Sequence, residues 1–157
     1  YHVREVTTSS NQIILTNYYE KEEKQLYVME QELYGERTKS LFYINGERQN
    51  AFLEKESGKT ATLNISGSID DYIENKSNWK KYVNYLTTRI KEVKYDGKEC
   101  YALINQNEQL FVEKATGLLI GKCEENIVVV IDYNFNTVKD EVFIEPNLEE
   151  YSVMEMK

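Results

Sequence analysis

The sequence predicts a mainly β protein of the α+β type, with a curved antiparallel sheet or unclosed half-barrel of about nine to ten strands and a short helical insertion near residues 68–90. Three observations carry this prediction. Short runs rich in Val, Ile, Thr and Tyr, which favour strands, are separated by turn dipeptides, and Tyr alone occurs 13 times. The spacing of the apolar residues changes from two to about 3.6 only after Ser68. Several runs are apolar at successive positions, so both faces of those strands are apolar.

The first predicted strands lie before the first clear turn dipeptide. Residues 3–8 form the first, and the polar run 20–24 joins a strand over 13–19 to another over 26–32. Charges of alternating sign in that run are typical of a solvated turn.

Two dipeptides predict hairpins. Asn45-Gly46 separates the strands predicted over 40–44 and 48–53. Asn-Gly readily adopts the positive φ angles that a type I′ turn requires. Asp96-Gly97 predicts the same turn between later strands. Weaker turns are predicted at Ser57-Gly58 and at Ala115-Thr116-Gly117. Further strands are predicted over 90–95, 99–104 and 126–135.

The helical insertion is predicted from its apolar spacing. Its apolar residues recur at i, i+3, i+4, i+7 and i+11, which places them on one face of a helix. They are Trp79, Tyr82, Val83, Leu86 and Ile90. Ser68, with Asp71 three residues later, resembles a capping arrangement at the start of this segment.

Composition excludes several classes of function. The formal net charge of −8 leaves no basic face for a phosphate backbone, so we expect no nucleic-acid partner. The longest purely apolar run, 127–131, is far shorter than the ~20 residues of a membrane-spanning helix. A chain of 157 residues is long enough for one domain with a sizeable core, and we predict one domain over 1–157.

The two cysteines predict free thiols. The turns near residues 105–108 and 115–117 would place Cys100 opposite Glu113 and Cys123 opposite about Glu108, two strands apart. Strands lie ~4.8 Å apart and a disulfide needs Cα atoms within ~7 Å, so the two thiols should not be bonded to each other.

Candidate catalytic and metal-binding motifs are incomplete. His2 is the only histidine, which leaves a nucleophilic Ser or Cys without its usual base. The run 117–123 resembles a phosphate loop but has too few residues between its glycines, so Gly121 is interpreted as a bulge or close-packing site. The run 132–143 begins like an EF-hand but has Thr137 at the glycine position. We therefore predict a non-enzyme with no metal or cofactor; a carboxylate-based hydrolase is the alternative.

The last third of the chain carries a family resemblance. The run Glu113-Lys-Ala-Thr-Gly-Leu118 joins two strands, and Asp140-Glu-Val-Phe-Ile-Glu-Pro146 follows the last long strand. These motifs resemble those of the LolA-like lipoprotein-carrier superfamily, which includes LppX-type lipoproteins and RseB-type sensors. The resemblance implies an unclosed antiparallel barrel wrapped over helices, with an apolar hollow. It also implies that an N-terminal leader, and a first helix that this fold normally has, are missing from the chain.

The resemblance and the two-faced strands together predict the function. We expect an extracytoplasmic, cell-envelope domain, anchored to the membrane only through an N-terminal segment outside this chain, that binds an acyl chain or lipidated segment. A sensor or interaction domain with an envelope protein partner is the second hypothesis, and a cytoplasmic location is the alternative. The ligand-binding residues predicted are Trp79, Tyr82, Val83 and Leu86 on a helical lid, and Phe42, Ile44 and Tyr27 on the sheet. The competing interpretation is that these side chains meet and fill a solid core.

Overall fold

The computed structural model describes residues 1–65 and 87–155, which form twelve strands and two short 3₁₀ helices. The strands are β1 His2–Thr8, β2 Gln12–Lys21, β3 Lys24–Leu33, β4 Glu36–Asn45, β5 Arg48–Lys55, β6 Gly58–Leu63, β7 Arg89–Tyr95, β8 Lys98–Ile104, β9 Glu108–Glu113, β10 Leu119–Glu124, β11 Ile127–Asn134 and β12 Ser152–Glu155. The 3₁₀ helices are Asp140–Phe143 and Leu148–Glu150. The mainly β, antiparallel prediction is confirmed, but the predicted number of strands was too low.

The predicted helical insertion lies outside the described residues except at its last position. Ile90 belongs to β7, where it pairs with Leu103 of β8 and is 64% exposed, so the prediction that the helical stripe extends to Ile90 was wrong. The β7–β8 hairpin determines the conformation there. Within the described ranges, no helix is long and apolar enough to cross a membrane.

Two compact units divide the chain. The described residues of the first unit are 1–6, 11–65 and 132–155, and those of the second are 7–10 and 87–131. The prediction that 1–157 is one domain stays a prediction.

The strands of the first unit follow the order β12-β6-β5-β4-β3-β2-β1. Strands β2 to β6 form an antiparallel meander, whereas β12 pairs in parallel with β6. Strand β12 was absent from the prediction because nothing in its four residues indicates which distant strand it joins.

The two predicted hairpins exist, but their turns differ. Asp96 and Gly97 both have positive φ, +49° and +75°, as a type I′ turn requires, and this prediction is confirmed. Asn45 instead remains in β4 and pairs with Arg48. The turn is therefore Gly46-Glu47, with positive φ only at Gly46 (+59°), which is the type II′ pattern. The predicted type I′ turn at Asn45-Gly46 was wrong by one residue.

The core of the first unit lies between one sheet face and the C-terminal segment 138–151, here called the strap. Phe52, only 1% exposed, packs edge-on against Tyr43 of β4 and Tyr151 of the strap, with ring centroids 5.5 and 5.3 Å away. The other core side chains are Leu26, Val28, Leu41, Ala61 and Leu63, with Val142 and Phe143 of the strap packed against them. Burying one such side chain is worth ~1.5–3 kcal/mol, so the strap contributes directly to stability.

Ion pairs hold both ends of the strap to the sheet. Asp140 accepts hydrogen bonds from Lys21 at 2.7 Å and Lys24 at 3.2 Å, and these contacts lower the pKa of its carboxyl. Glu150 accepts from Lys59 at 2.8 Å, which likewise lowers its pKa. These groups are exposed, so they position the strap more than they stabilise it.

The strands of the second unit follow the antiparallel order β11-β10-β9-β8-β7. The register of β10 against β9 shifts between Leu119 and Gly121. A Cβ at Gly121 would lie 2.4 Å from the ring of Tyr95, so this residue is both a bulge and a close-packing site. Both roles predicted for Gly121, bulge and close-packing site, are therefore confirmed.

Both cysteines, in the second unit, are free. Cys100 lies opposite Glu113, as predicted, whereas Cys123 lies opposite Gln109, one residue from the predicted Glu108. The register shift before Gly121 inserts the extra residue that accounts for this difference.

The two thiols should differ in reactivity. Cys100 has no exposed surface, and burial raises the pKa of its thiol, whereas Cys123 is half-buried. Because the thiolate is the reactive species, iodoacetamide should add one group to the native protein and two to the protein unfolded in urea without reductant. Intact mass spectrometry measures both numbers. A single group after unfolding, or none, would contradict the free-thiol assignment.

Candidate functional site

The central strands of the first unit carry apolar side chains on both faces, as the sequence predicts for residues 26–29 and 41–44. One face packs against the strap and forms the core described above. The other is here called the apolar face: its apolar side chains come from alternate positions of β2 to β5 and are half-buried, and polar residues such as Thr16 and Ser40 lie between them. They are Ile14, Tyr18, Tyr27, Met29, Phe42, Ile44, Ala51 and Leu53.

Register places these side chains in two rows across the strands. Tyr18, Tyr27, Phe42 and Ala51 are successive cross-strand partners in one row. In the next row Met29 and Leu53 flank Ser40. The rings of Tyr27 and Phe42 lie 6.2 Å apart in a tilted arrangement, which is within the favourable range for aromatic pairs.

The predicted ligand-binding residues have different outcomes. Tyr27 and Phe42 are cross-strand partners, and Ile44 lies two residues beyond Phe42 on the same face. The structure therefore brings the three sheet residues together. The four predicted lid residues, Trp79, Tyr82, Val83 and Leu86, lie outside the described residues. The interpretation of a hollow between lid and sheet stays a prediction.

A cavity of about 430 Å³ lies between the strap and the ends of β3 and β4, and is here called the strap cavity. The residues that line it include Tyr43, Phe143 and Ile144, together with Ile44, whose side chain lies on the apolar face. Its polar lining comes from Lys24, Gln25, Asn45, Asp140, Glu141 and Glu145. Sequence reasoning did not find this site because its charged residues resemble an ordinary solvated surface.

Buried polar contacts organise the lining of the strap cavity. The amide nitrogen of Asn50, which is 1% exposed, donates to both carboxylate oxygens of Glu145 at 3.0 and 2.9 Å. Arg48 adds a weaker ion pair to Glu145 at 3.6 Å. Burial, together with the negative charges of Glu145 and Glu54, raises the pKa of Tyr43 to about 12. Tyr43 is therefore a neutral hydroxyl at physiological pH.

A wider groove of about 1120 Å³ lies at the opposite end of these strands. Ile13, Leu15 and Tyr34 contribute apolar surface to it. Salt bridges link Glu32 to Arg37 and Glu30 to Lys39 across it, at 2.9 and 3.7 Å. Such exposed pairs contribute ~0–1 kcal/mol each, and their mixed signs favour neither cations nor anions.

The remaining sequence candidates have structural roles. The ring of His2 stacks on Tyr19 at 4.3 Å and hydrogen-bonds to Asn17 at 3.0 Å. In the EF-hand-like run, Asp132 pairs with Arg4 at 3.6 Å, and the Asn134 side chain accepts from the Asn136 backbone. Within residues 1–65 and 87–155, no cluster of three or more potential metal ligands exists.

Comparisons with known proteins leave the family open. No protein-family model and no curated protein matches the chain. Among solved structures, PNGF-II is similar to it with a TM-score of 0.30 and 9% identity. The match covers 99% of this chain and 30% of PNGF-II, so the chain spans less than a third of that protein. The resemblance to the LolA-like superfamily stays a prediction.

Proposed function

We propose that the protein is a non-enzymatic domain that binds an acyl chain or lipidated segment on the apolar face of the first unit. One observation carries the proposal: the sheet has a second apolar face although its first already forms a core with the strap. In an antiparallel sheet with one core face, the other face normally carries polar side chains. Here its centre carries Tyr27, Met29 and Phe42 instead.

The dimensions of the face suit an extended apolar chain. The central rows cross the four strands β2 to β5, which at ~4.8 Å spacing span about 14 Å. Aromatic and thioether side chains give such a surface adaptable contacts, because Met fills irregular gaps and rings present broad flat faces. Each buried CH₂ group of a ligand contributes ~0.8 kcal/mol, so a long chain can bind without any charged contact.

Replacing Leu53 by glutamine should weaken this binding. The change places an amide on the apolar face at nearly constant volume, and we expect the Kd for a dansyl-labelled fatty acid to rise about tenfold. Ile13→Gln is the matched control, because Ile13 is exposed and lies on the opposite face of the same sheet. Both dansyl emission and quenching of Trp79, the single tryptophan, can report the titration.

The wild-type titration is decisive for the proposal. Saturable binding that Leu53→Gln weakens and Ile13→Gln leaves unchanged would support it. Equal effects of the two variants would assign the ligand to another surface. No saturable binding by the wild-type protein would overturn the proposal.

A further inference from the structure

The strap cavity is lined by a largely buried tyrosine whose hydroxyl has no hydrogen-bond partner among the described residues. Tyr43 is only 7% exposed, and its ring is held edge-on against Phe52. No described donor or acceptor bonds to its hydroxyl. Every completely enclosed side-chain oxygen or nitrogen of the described residues does have a partner. The Tyr43 hydroxyl must therefore reach the surface of the cavity that the residue lines. Because this hydroxyl is accessible and no described residue bonds to it, it is available to a ligand.

The cavity also offers acceptors that its own residues do not use. Glu141 and Asn45 line it, and their side chains have no hydrogen-bond or salt-bridge partner in the described part of the chain. The other two carboxylates differ: Asp140 is occupied by Lys21 and Lys24, and Glu145 by Asn50 and Arg48. Glu141 forms no ion pair among the described residues, although its charge acts on Lys21, so it is the carboxylate left for a ligand.

The electrostatic surroundings favour a cation. Both charges that act on the Tyr43 hydroxyl, those of Glu145 and Glu54, are negative and raise its pKa, so the oxygen lies in a negative potential. Lys24 also lines the cavity, but Asp140 holds its ammonium at 3.2 Å. Phe143, which is only partly buried, adds aromatic surface of the kind that attracts cations. The net charge of −8 steers cations towards the protein as a whole.

We propose that the strap cavity binds a primary ammonium group on a short alkyl stem. The ammonium has three donors, which match the Glu141 carboxylate, the Tyr43 oxygen and the amide oxygen of Asn45. The stem would contact Ile144 and the ring of Phe143. The cavity volume lies within the usual ~300–1,000 Å³ of small-molecule sites. Free diamines and the lysine side chain of a peptide both present this group.

Calorimetric titration of the full chain tests the proposal. The probes are cadaverine for the free diamine, Nα-acetyl-lysine N-methylamide for the peptide side chain, and 1,5-pentanediol as the neutral isostere of cadaverine. We expect at least one ammonium probe to bind at a single site and the diol not to bind. The two ammonium probes distinguish the sources, since binding of only one identifies which stem the cavity accepts. Added salt should weaken the binding because the cation and Glu141 attract through solvent.

Two conservative variants locate the site. Glu141→Gln removes the free carboxylate, and Tyr43→Phe removes only the hydroxyl, and each should raise the Kd about tenfold. Glu36→Gln is the matched control, an exposed carboxylate of the same unit outside the cavity, and should leave the Kd unchanged. Binding of the diol as tight as that of cadaverine, no effect of either cavity variant, or no binding of either ammonium probe would each overturn the proposal.

Discussion

Replacing Gly121 by alanine is expected to lower the free energy of unfolding by about 2–3 kcal/mol. The added Cβ would lie 2.4 Å from Cε1 of Tyr95 and 2.7 Å from its hydroxyl oxygen. The ring cannot move away freely, because it stacks on Phe111 at 4.0 Å and its hydroxyl donates to the Val129 carbonyl at 3.3 Å. Urea unfolding followed by circular dichroism measures the change.

A double-mutant cycle separates this clash from other effects of Gly121→Ala. Alanine is intrinsically better than glycine inside a strand by ~0.5–1 kcal/mol, so the substitution should become neutral or stabilising once the ring is absent. Tyr95→Leu provides that background. A cost of Gly121→Ala that is equally large with and without the Tyr95 ring would show that the bulge itself, rather than contact with Tyr95, requires glycine.

The local signals in the sequence predicted local structure well. Asp96-Gly97 forms the predicted turn because both positive φ angles fall on residues that tolerate them. The error at Asn45-Gly46 arose from pairing: Asn45 stays in the β4–β5 ladder opposite Arg48, which leaves Gly46 as the first turn residue. A dipeptide indicates a turn, but the register of the two strands decides which residues occupy it.

The long-range arrangement could not be predicted in the same way. Strand β12 joins β6 only after the strap has crossed the core, and the strap has no apolar periodicity. It was predictable that Tyr27, Phe42 and Ile44 share one face of the sheet, because side chains alternate between the two faces along a strand. The strap cavity depends instead on which charged residues of the strap meet β3 and β4, and spacing does not encode that.

One residue in the sequence did indicate the strap contact. Asn50 occupies an inward position of β5, two residues before Phe52, where an apolar residue is expected. A polar side chain at such a position needs buried partners. The structure supplies them, since its nitrogen donates to Glu145 and its oxygen accepts from the Asn64 backbone at 3.1 Å.

Replacing Asn50 by aspartate is therefore expected to be the most destabilising single change considered, costing about 3–5 kcal/mol at pH 7. The substitution replaces two donated hydrogen bonds with a second carboxylate facing Glu145. Two adjacent like charges, one at the buried position 50 and one on the partly buried Glu145, raise the pKa of the pair in the folded state. A raised folded-state pKa means that the native variant binds more protons than the unfolded chain, so its stability should rise as pH falls from 7 towards 5. Urea unfolding at both values measures this.

A second substitution tests whether the lost contact is the cause. In Asn50→Asp combined with Glu145→Gln, the donor and acceptor exchange sides, and the new carboxylate still accepts from the Asn64 backbone. We expect the double variant to recover at least half of the lost stability at pH 7. Its free energy of unfolding should also no longer increase as the pH falls from 7 towards 5, because one carboxylate of the pair is gone. A double variant as unstable as Asn50→Asp would show that the position tolerates no charge at all, whatever faces it from the strap.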